Sequence, residues 1–549
     1  MIKQDGNRKI LQISNFLIFL YKEFVYKLNF WTLSSFLIGI LIFIPIGLVI
    51  HNINNFTSNW EHITNTVLGS YLLNSVFLAL GTVLFSVILG VSSAWIVTSY
   101  KFPGCKLFKW LLILPLAIPT YIAAYAYFDI LDLFNPILLW IKLNISLSAM
   151  NNTDTFLVYL MTTLVMSSVL YPYIYLLARS SFESQGNHFT NVSRSLGYSK
   201  YECFWKIVLP LSRPAIVAGI SLVIMETLSD YGAVKHFGIQ TFTYGIFRTW
   251  LGMGDLTSAL RLAVVLMVFT LSILYIEKRS RSNAQYVEKS LKKSSYEKNS
   301  LYGLKSILAI IFCLLPLFLG FLFPVLRLGY WALLSKSYFL ELNILKLSFN
   351  TLLLSLLTST FTVTISMLFV FSAKYFKNSI VKMTNKIAIL GYSTPGAVIA
   401  MGTLILVGYI SSLTGIVVSG TIFFLIFAYI VRFLAVAFQP IESGMEKNCD
   451  KLNDAAKLLG AKPFYSFYKI NIPILKNSVI AAALLVFIDA TKELPLTLIL
   501  RPFNFETLAT VTFDLSNQAQ IIESSIPSIS IILLVVIPII YLNRRIGMI

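Results

Sequence analysis

The apolar residues of this chain fall in blocks of about 20, the length that an α-helix needs to cross the hydrocarbon core of a bilayer. The chain has 549 residues, of which 57% are hydrophobic and only 12% are charged. A soluble protein of this length carries about 25% charged residues and divides into several domains. The sequence therefore predicts an all-α polytopic membrane protein.

Twelve such blocks predict twelve transmembrane helices. They lie near residues 31–51, 70–98, 108–128, 155–178, 212–234, 259–277, 304–325, 347–373, 385–410, 421–438, 474–491 and 525–543. With a cytoplasmic N-terminus, every second loop is rich in Lys and Arg, as the positive-inside rule requires. We therefore predict a multi-pass protein of the bacterial inner (plasma) membrane with both termini in the cytoplasm. The net charge of +19 follows the same loops, so the expected partner is membrane lipid and not nucleic acid.

Two of the basic loops repeat one another at a fixed spacing. The first reads Asn191-Val192-Ser193-Arg194-Ser195-Leu196-Gly197 and continues to Ile207-Val208-Leu209-Pro210; the second reads Asp454-Ala455-Ala456-Lys457-Leu458-Leu459-Gly460 and continues to Ile470-Asn471-Ile472-Pro473. In both, glycine to isoleucine is 10 residues and glycine to proline is 13. One such loop is often a basic amphipathic segment resting on lipid headgroups, but two copies with one spacing indicate a duplicated cytosolic device.

The match extends beyond these loops and divides the chain. Asn74 and Asn350 open similar apolar runs, and each lies 45 residues before a second matching proline, Pro119 or Pro395. The predicted division is a cytoplasmic N-terminal segment 1–30, a first repeat 31–277, a cytoplasmic linker 278–303 and a second repeat 304–549. Six predicted helices separate the two repeated loops, so the repeats are parallel and related by an axis along the membrane normal.

Each repeated loop has the pattern of two short helices joined by a glycine turn. The first helical run ends at Gly197 or Gly460, because glycine adopts the left-handed conformation at low cost. The second run carries apolar residues every three positions, and Pro210 or Pro473 then opens the next transmembrane helix. A unit of this kind, attached directly to a membrane helix, can transmit a rigid-body movement from a soluble partner.

The loops resemble the signature of binding-protein-dependent ABC importer permeases, which is Glu-Ala-Ala, three residues, Gly, nine residues, then Ile-x-Leu-Pro. The second copy is close, with Asp454 for Glu and Ile472 for Leu; the first replaces the three leading letters and keeps Gly, Ile, Leu and Pro. The resemblance implies that the residues at the signature positions dock the ATPase. They are Asn191, Val192, Ser193, Gly197, Ile207, Leu209 and Pro210, and Asp454, Ala455, Ala456, Gly460, Ile470, Ile472 and Pro473.

The resemblance implies a fused double permease with a type I ABC importer fold. It also implies two cytoplasmic ABC ATPase subunits and an external, periplasmic solute-binding protein as partners. The chain carries no Walker-type phosphate loop, so it is not expected to be an enzyme. ATP and magnesium belong to the partner ATPase, and no cofactor is expected on this chain.

Three stretches resemble the iron(III) branch of these permeases and make iron(III) the expected substrate. They are Leu114–Pro119, Met225–Gly232 continuing to Phe242, and Lys492–Pro495 continuing to Phe505. Other small solutes such as thiamine, polyamines or phosphonates stay open. An ion-coupled secondary transporter explains the repeat but not the two matched inner loops, and a membrane enzyme would require larger loop domains.

Four carboxylates occupy equivalent places in the two halves. Glu226 and Asp489 lie 16 residues after the loop proline, and Asp230 and Glu493 lie 20 after it. Acids within membrane helices are functional candidates, and hard oxygen ligands suit Fe3+. The alternative is that they anchor helix ends, solvated or paired with Lys235, Lys492 or Arg501. We therefore predict no metal-binding residues.

Overall fold

The structure is a computed structural model that describes residues 29–52, 58–195, 199–282, 299–376, 378–389, 391, 394–448 and 450–546. Nearly all of the predicted N-terminal segment 1–30 and most of the linker 278–303 lie outside the described residues. Within the described part the chain is almost entirely helical, as the sequence predicts.

In the first half of the chain, the described residues form twelve helices. They are α1 (Phe30–His51), α2 (Ser58–Thr66), α3 (Leu68–Ser99), α4 (Cys105–Leu111), α5 (Thr120–Phe128), α6 (Asn135–Asn144), α7 (Leu147–Ser195), α8 (Lys200–Cys203), α9 (Leu209–Ser229), α10 (Gly232–His236), α11 (Phe242–Phe247) and α12 (Leu256–Ser282). Short 3-10 turns occupy Leu114–Ala117 and Leu131–Phe134, and π-turns occupy Phe204–Val208 and Arg248–Gly252. Strand β1 (Tyr100–Lys101) pairs in parallel with β2 (Asn299–Ser300).

The second half forms thirteen described helices. They are α13 (Leu304–Leu317), α14 (Phe323–Leu334), α15 (Tyr338–Glu341), α16 (Ile344–Tyr375), α17 (Ser379–Ile389), α18 (Gly396–Thr414), α19 (Ile422–Asn448), α20 (Asp450–Leu458), α21 (Pro463–Tyr465), α22 (Ile472–Thr491), α23 (Pro495–Leu500), α24 (Leu508–Asn517) and α25 (Ser525–Ile546). Further π-turns occupy Phe318–Leu322 and Ser466–Asn471.

Twelve helical stretches of the described chain are long and apolar enough to cross a membrane, which confirms the predicted number. The first, second, sixth, eighth and twelfth coincide with the predicted blocks within three residues, and the fourth, fifth, seventh, tenth and eleventh overlap theirs but differ by eight to eleven residues at one end. The third and the ninth differ. The stretch 108–128, predicted as one continuous helix, is divided between α4, a 3-10 turn and α5, and the stretch 385–410, also predicted as one helix, is divided between α17 and α18. By length and composition, the membrane-length stretch in the first of these regions is Thr120–Asn144.

Prolines at equivalent places interrupt both halves. Pro119 and Pro395 stand immediately before α5 and α18, with nearly the same extended conformation, φ −59° and ψ 144° against φ −55° and ψ 145°. A proline has no N–H to donate and its ring clashes with the preceding helical turn, so the helix stops before it and restarts after it. The residue before it, Ile118 in the first half, is extended for the same reason.

The chain folds into two compact units that do not follow its order. The first unit contains Met1–His51, Asn350–Phe505 and Arg544–Ile549. In it α1 packs on α17 and α18, where small residues permit close approach: Gly39 faces the Thr384 methyl and Gly402 faces the Pro45 carbonyl. The Ser35 hydroxyl also lies 3.2 Å from the Asn385 side-chain oxygen.

The second unit contains Asn52–Phe349 and Glu506–Asn543. Its centre is the packing of α3, α7 and α9, and the segment α13–α14 lies against α7 and α5. Gly320 sits under the Ser168 carbonyl, and Arg327 pairs with Asp129 at 2.6 Å. The first membrane helix of each predicted repeat therefore belongs to the compact unit that contains most of the other repeat. The repeat boundaries 31–277 and 304–549 rest on sequence equivalence and stay a prediction.

Candidate functional site

The second repeated loop forms a short helix closed by a glycine cap. Helix α20 ends at Leu458, and Gly460 has a φ of +76°, in the left-handed region, as its sequence context predicts. The Gly460 N–H donates to the Lys457 carbonyl at 3.0 Å and the Ala461 N–H donates to the Ala456 carbonyl at 2.9 Å. This pair of hydrogen bonds is a Schellman cap, which satisfies the last carbonyls of the helix and turns the chain back.

A pair of buried amides connects this short helix to the membrane helix that follows. The Asn453 side-chain N–H2 donates to the Asn471 side-chain oxygen at 3.1 Å, and the Asn471 N–H2 donates back to Asn453 at 3.0 Å. Asn471 also donates to the Ser466 carbonyl at 2.8 Å. Both side chains are buried and their polar groups are satisfied by one another, so α20 is held rigidly against the start of α22.

Both repeated loops enter their membrane helix through a π-turn. The π-turns Phe204–Val208 and Ser466–Asn471 end two residues before Pro210 and Pro473, which are the second residues of α9 and α22. A proline ring clashes with the carbonyl four residues earlier, and the wider turn relieves this clash without ending the helix. The second arm of each loop is therefore continuous with the membrane helix, where a separate short helix was expected.

An aromatic residue six positions before each proline anchors the loop to neighbouring helices. Phe204 lies 4.7 Å from Trp95 between ring centroids, within the second unit. Phe467 lies 5.0 Å from Phe371, which is the repeat equivalent of Trp95, and 4.9 Å from Trp31 on α1, within the first unit. These rings are the inward members of the predicted stripes, whereas Tyr201 and Phe464 are mostly exposed.

The outer surface of α20 presents apolar and acidic groups to solvent. Asp454 and Ala455 are exposed, Ala456 is buried against the protein, and Leu458 and Leu459 are 89% and 86% exposed. The neighbouring Lys457 ammonium lies 4.0 Å above the Tyr375 ring and 3.9 Å from Asp454. Two adjacent leucines exposed to this extent at a rigid turn form a surface suited to a protein partner.

The first repeated loop is described in part. Helix α7 continues without a break from the membrane stretch to Ser195, so Asn191, Val192 and Ser193 are helical, although their side chains lie outside the described residues. Gly197 also lies outside them. After the turn, Ser199 and Glu202 form a capping box: the Ser199 N–H donates to Glu202 at 3.0 Å and the Glu202 N–H donates to the Ser199 hydroxyl at 3.3 Å.

Three of the four carboxylates predicted as equivalent pairs, Asp230, Asp489 and Glu493, have structural partners inside their own units. Asp230 caps the start of α10, accepting the Ala233 N–H at 2.9 Å, and also accepts the Thr120 hydroxyl. Asp489 pairs with Lys492 at 3.0 Å, as the alternative interpretation predicted. Glu226 is half-buried within α9.

Glu493 pairs with Arg432, whose Nε lies 3.3 Å from the carboxylate, and both side chains are buried. No role was predicted for Arg432 from the sequence, although a single arginine within an apolar stretch is a readable signal. Among the residues that the structure describes, no group of three or more His, Cys, Asp or Glu side chains is placed to hold a metal ion.

The fold is that of a polytopic α-helical membrane protein, with twelve membrane-length stretches among its described residues. Residues 86–281, which include the first repeated loop, match the family model described as "Binding-protein-dependent transport system inner membrane component". Residues 86–281 therefore carry a domain of the ABC transporter permeases, a family of inner-membrane transport subunits.

Curated relatives differ in the substrates that their names give. The chain is 26% identical to the Fe(3+)-transport system permease protein FbpB 2 of Haemophilus influenzae, over 94% of this chain and 98% of that protein. It is 30% identical to the sulfate transport system permease protein CysT of Escherichia coli, over 32% of this chain and 61% of that protein. It is also 26% identical to a probable molybdenum ABC transporter permease protein of Haloferax volcanii, over 43% of this chain and 84% of that protein.

Proposed function

We propose that this chain is the permease of an ATP-driven importer that carries iron(III) across the inner membrane. In this proposal, two cytoplasmic ABC ATPase subunits dock on the two repeated loops, and an external solute-binding protein delivers the substrate. Both termini lie in the cytoplasm. The iron assignment rests on the relative that matches nearly the whole of both chains, whose name gives Fe(3+), and on the three iron-type stretches of the sequence.

The observation that carries the ATPase role is the construction of the second loop. Its inner side is tied to the membrane helix through the Asn453–Asn471 amide pair, while its outer side exposes Leu458 and Leu459. A helix that is fixed to the protein through its inner face and is apolar on its exposed face suits a groove on a soluble partner. Movement of that partner is then passed on to α22. This docking element also includes Asp454, Ala455, Gly460, Ile470, Ile472 and Pro473.

The ATPase role is tested by purifying the tagged chain with its native partners in mild detergent. Leu458→Glu together with Leu459→Glu is expected to remove most of the co-purifying ATPase, because each charge faces an apolar groove. Leu413→Glu is the matched control, since Leu413 is 85% exposed but lies in the last turn of α18, beside a loop predicted to face outward. ATPase that stays bound to the double variant as it does to the unsubstituted chain contradicts docking at this surface.

The substrate is tested by uptake of 55Fe(III) citrate and 35S-sulfate into cells that lack their own importers for both. Expression of this chain with its partner subunits is expected to restore iron uptake. An oxyanion such as sulfate is the second candidate, because partial relatives are named as sulfate and molybdenum permeases. Restoration of sulfate uptake without iron uptake replaces the iron assignment by the second candidate.

A further inference from the structure

In the first half, one acid joins the ends of three helices. Asp230 follows α9 directly, and one of its carboxylate oxygens accepts the backbone N–H of Ala233 at 2.9 Å and of Val234 at 3.3 Å at the start of α10. Its other oxygen accepts the hydroxyl hydrogen of Thr120, the first residue of α5. Asp230 caps the start of α10, because a carboxylate is favoured at a helix N-terminus. Through Thr120 it also holds the start of α5 at the break that Pro119 creates.

We call this meeting of helix ends around an acid a junction. The second half has an equivalent junction, with Glu493 in the place of Asp230. Glu493 accepts the Leu496 N–H at 3.3 Å at the start of α23. A Cβ added to Gly396, the first residue of α18, would lie 2.9 Å from the Glu493 carboxylate. Gly396 stands where the first half has Thr120, directly after the break proline. The missing side chain thus leaves room for a longer acid at the start of α18.

Arg432 gives the second junction a positive charge that the first junction lacks at the equivalent position. Its Nε lies 3.3 Å from Glu493, and an Nη group donates to the Thr394 carbonyl at 3.4 Å, within the break before α18. The side chains of Arg432 and Glu493 are only 8% and 7% exposed. Val169 is the equivalent residue in the first half, because each lies 28 residues before the glycine of its loop.

A single helix connects each junction to the loop at its other end. Helix α22 begins directly after Asn471 and ends two residues before Glu493; its 20 residues span about 30 Å at 1.5 Å per residue. Helix α9 connects the first loop to Asp230 in the same way. A displacement of either loop therefore reaches the corresponding acid through a continuous helix.

We propose that Arg432 is a positioning residue for transport, which together with Glu493 forms a charged latch between α22 and the break before α18. The latch makes the start of α18 follow α22 when the loop moves. This inference rests on the proposed coupling of the loops to ATPase subunits. The stability of the fold does not by itself require the Arg432–Glu493 pair, because replacing a buried ion pair by uncharged groups of similar volume is often neutral for stability.

The test compares ATP hydrolysis and uptake in the complete complex. Arg432→Met with Glu493→Gln removes both charges and keeps the volume. We expect this double variant to retain its ATPase and to hydrolyse ATP. The ratio of substrate uptake to ATP hydrolysis, measured with 55Fe(III) citrate or 35S-sulfate as identified above, is expected to fall about tenfold. Arg432→Lys keeps the charge and is expected to recover most of the uptake.

The matched control is Lys374→Met with Glu446→Gln, which removes a more exposed ion pair involving the same helix α19, at 2.5 Å. It is expected to leave the ratio of uptake to hydrolysis unchanged. Unaltered uptake per ATP in the Arg432→Met/Glu493→Gln variant overturns the latch and leaves the coupling loops in place. An unsubstituted chain that captures no ATPase overturns the proposed function instead.

Discussion

Asn453 and Asn471 exchange two side-chain hydrogen bonds, at 3.1 and 3.0 Å, across the turn that separates α20 from α22. The two residues lie 18 positions apart and are both buried. Backbone hydrogen bonds at Gly460 and Ala461 cap the end of α20, and the amide pair then joins this exposed helix to the residue directly before the membrane helix. Motion of α20 relative to the start of α22 therefore requires the amide pair to break.

Replacing one amide is expected to destabilise this connection. Asn471→Leu is nearly isosteric but leaves the Asn453 amide buried without its partner, which costs about 1–3 kcal/mol. Replacing both residues by leucine removes the unsatisfied group and recovers most of the loss. Thermal unfolding of the purified chain in detergent measures both effects, with Asn477→Leu as an exposed control on α22. A double variant that melts no higher than Asn471→Leu would contradict a cost from the unpaired Asn453 amide.

The turn at Gly460 depends on backbone conformation and not on space. A Cβ there would meet no atom within 4 Å, but the φ of +76° is costly for a β-branched residue. Gly460→Val is therefore expected to weaken ATPase binding and to abolish transport while the protein still inserts. Gly408→Val is the matched control, because Gly408 is also in open space but within helix α18. Unchanged ATPase stimulation in reconstituted Gly460→Val complexes contradicts the docking role.

The two loops are expected to bind their ATPase subunits unequally. Asn191 stands in the first loop where Asp454 stands in the second, so the docking surfaces differ by one negative charge. Asp454→Asn and Asn191→Asp are expected to shift complex stability and ATPase activity in opposite directions, most clearly at low salt. The measurement is ATPase activity and retention of the subunit across a salt series. If neither substitution changes either quantity, the charge difference has no functional consequence.

Much of this architecture could be predicted because its signals are local. Apolar block length gives the number of membrane helices, and the glycine signal gives the position of the turn at Gly460. Pro119 and Pro395 are equally local signals, but the blocks 108–128 and 385–410 were each predicted as one helix across them. The capping box at Ser199 and Glu202 also has a readable Ser-x-x-Glu pattern, although it was not among the predicted features. Each of these features depends on residues within a few positions of one another.

The features that the sequence did not predict depend on tertiary contacts. Hydropathy does not show that α1 and α13–α14 each belong to the compact unit that contains most of the other repeat. A membrane helix is equally apolar whichever unit it packs against. The Asn453–Asn471 pair and the Arg432–Glu493 pair join residues 18 and 61 positions apart, beyond the range of helical periodicity. Counting from the loop prolines placed Asp230 and Glu493 at equivalent positions, but their partners became visible only in three dimensions.

The four carboxylates provide a direct test of the substrate route. If they line the path of a cation, Glu226→Gln with Asp489→Asn lowers uptake of labelled iron into vesicles, and more than either single change, because an apolar path imposes a desolvation barrier. Asp489 already pairs with Lys492 at 3.0 Å, which favours a role in anchoring the helix end. We therefore expect the double variant to transport iron at close to the unsubstituted rate, with uptake normalised to the amount of inserted protein. A severalfold loss would return these acids to the route.

His236 is expected to make stability depend on pH. Its ring lies 4.7 Å from Tyr125 and 4.5 Å from Phe128 between centroids, and burial lowers its pKa to about 4, against an opposing effect of Asp129. Below about pH 6.5 the unfolded chain binds a proton at this residue that the folded chain does not, so stability falls as the pH drops from about 6.5 to about 4.

Between about pH 7.5 and pH 5 this contribution amounts to roughly 1–2 kcal/mol. His236→Phe removes the titrating group and keeps the aromatic packing, so the variant is expected to lose less of its melting temperature over that range than the unsubstituted chain. His62→Gln, at an exposed position on α2, is the control and is expected to follow the unsubstituted chain. Parallel pH profiles for the His236→Phe variant and the unsubstituted chain would mean that the ring is protonated as readily in the folded state as in the unfolded one.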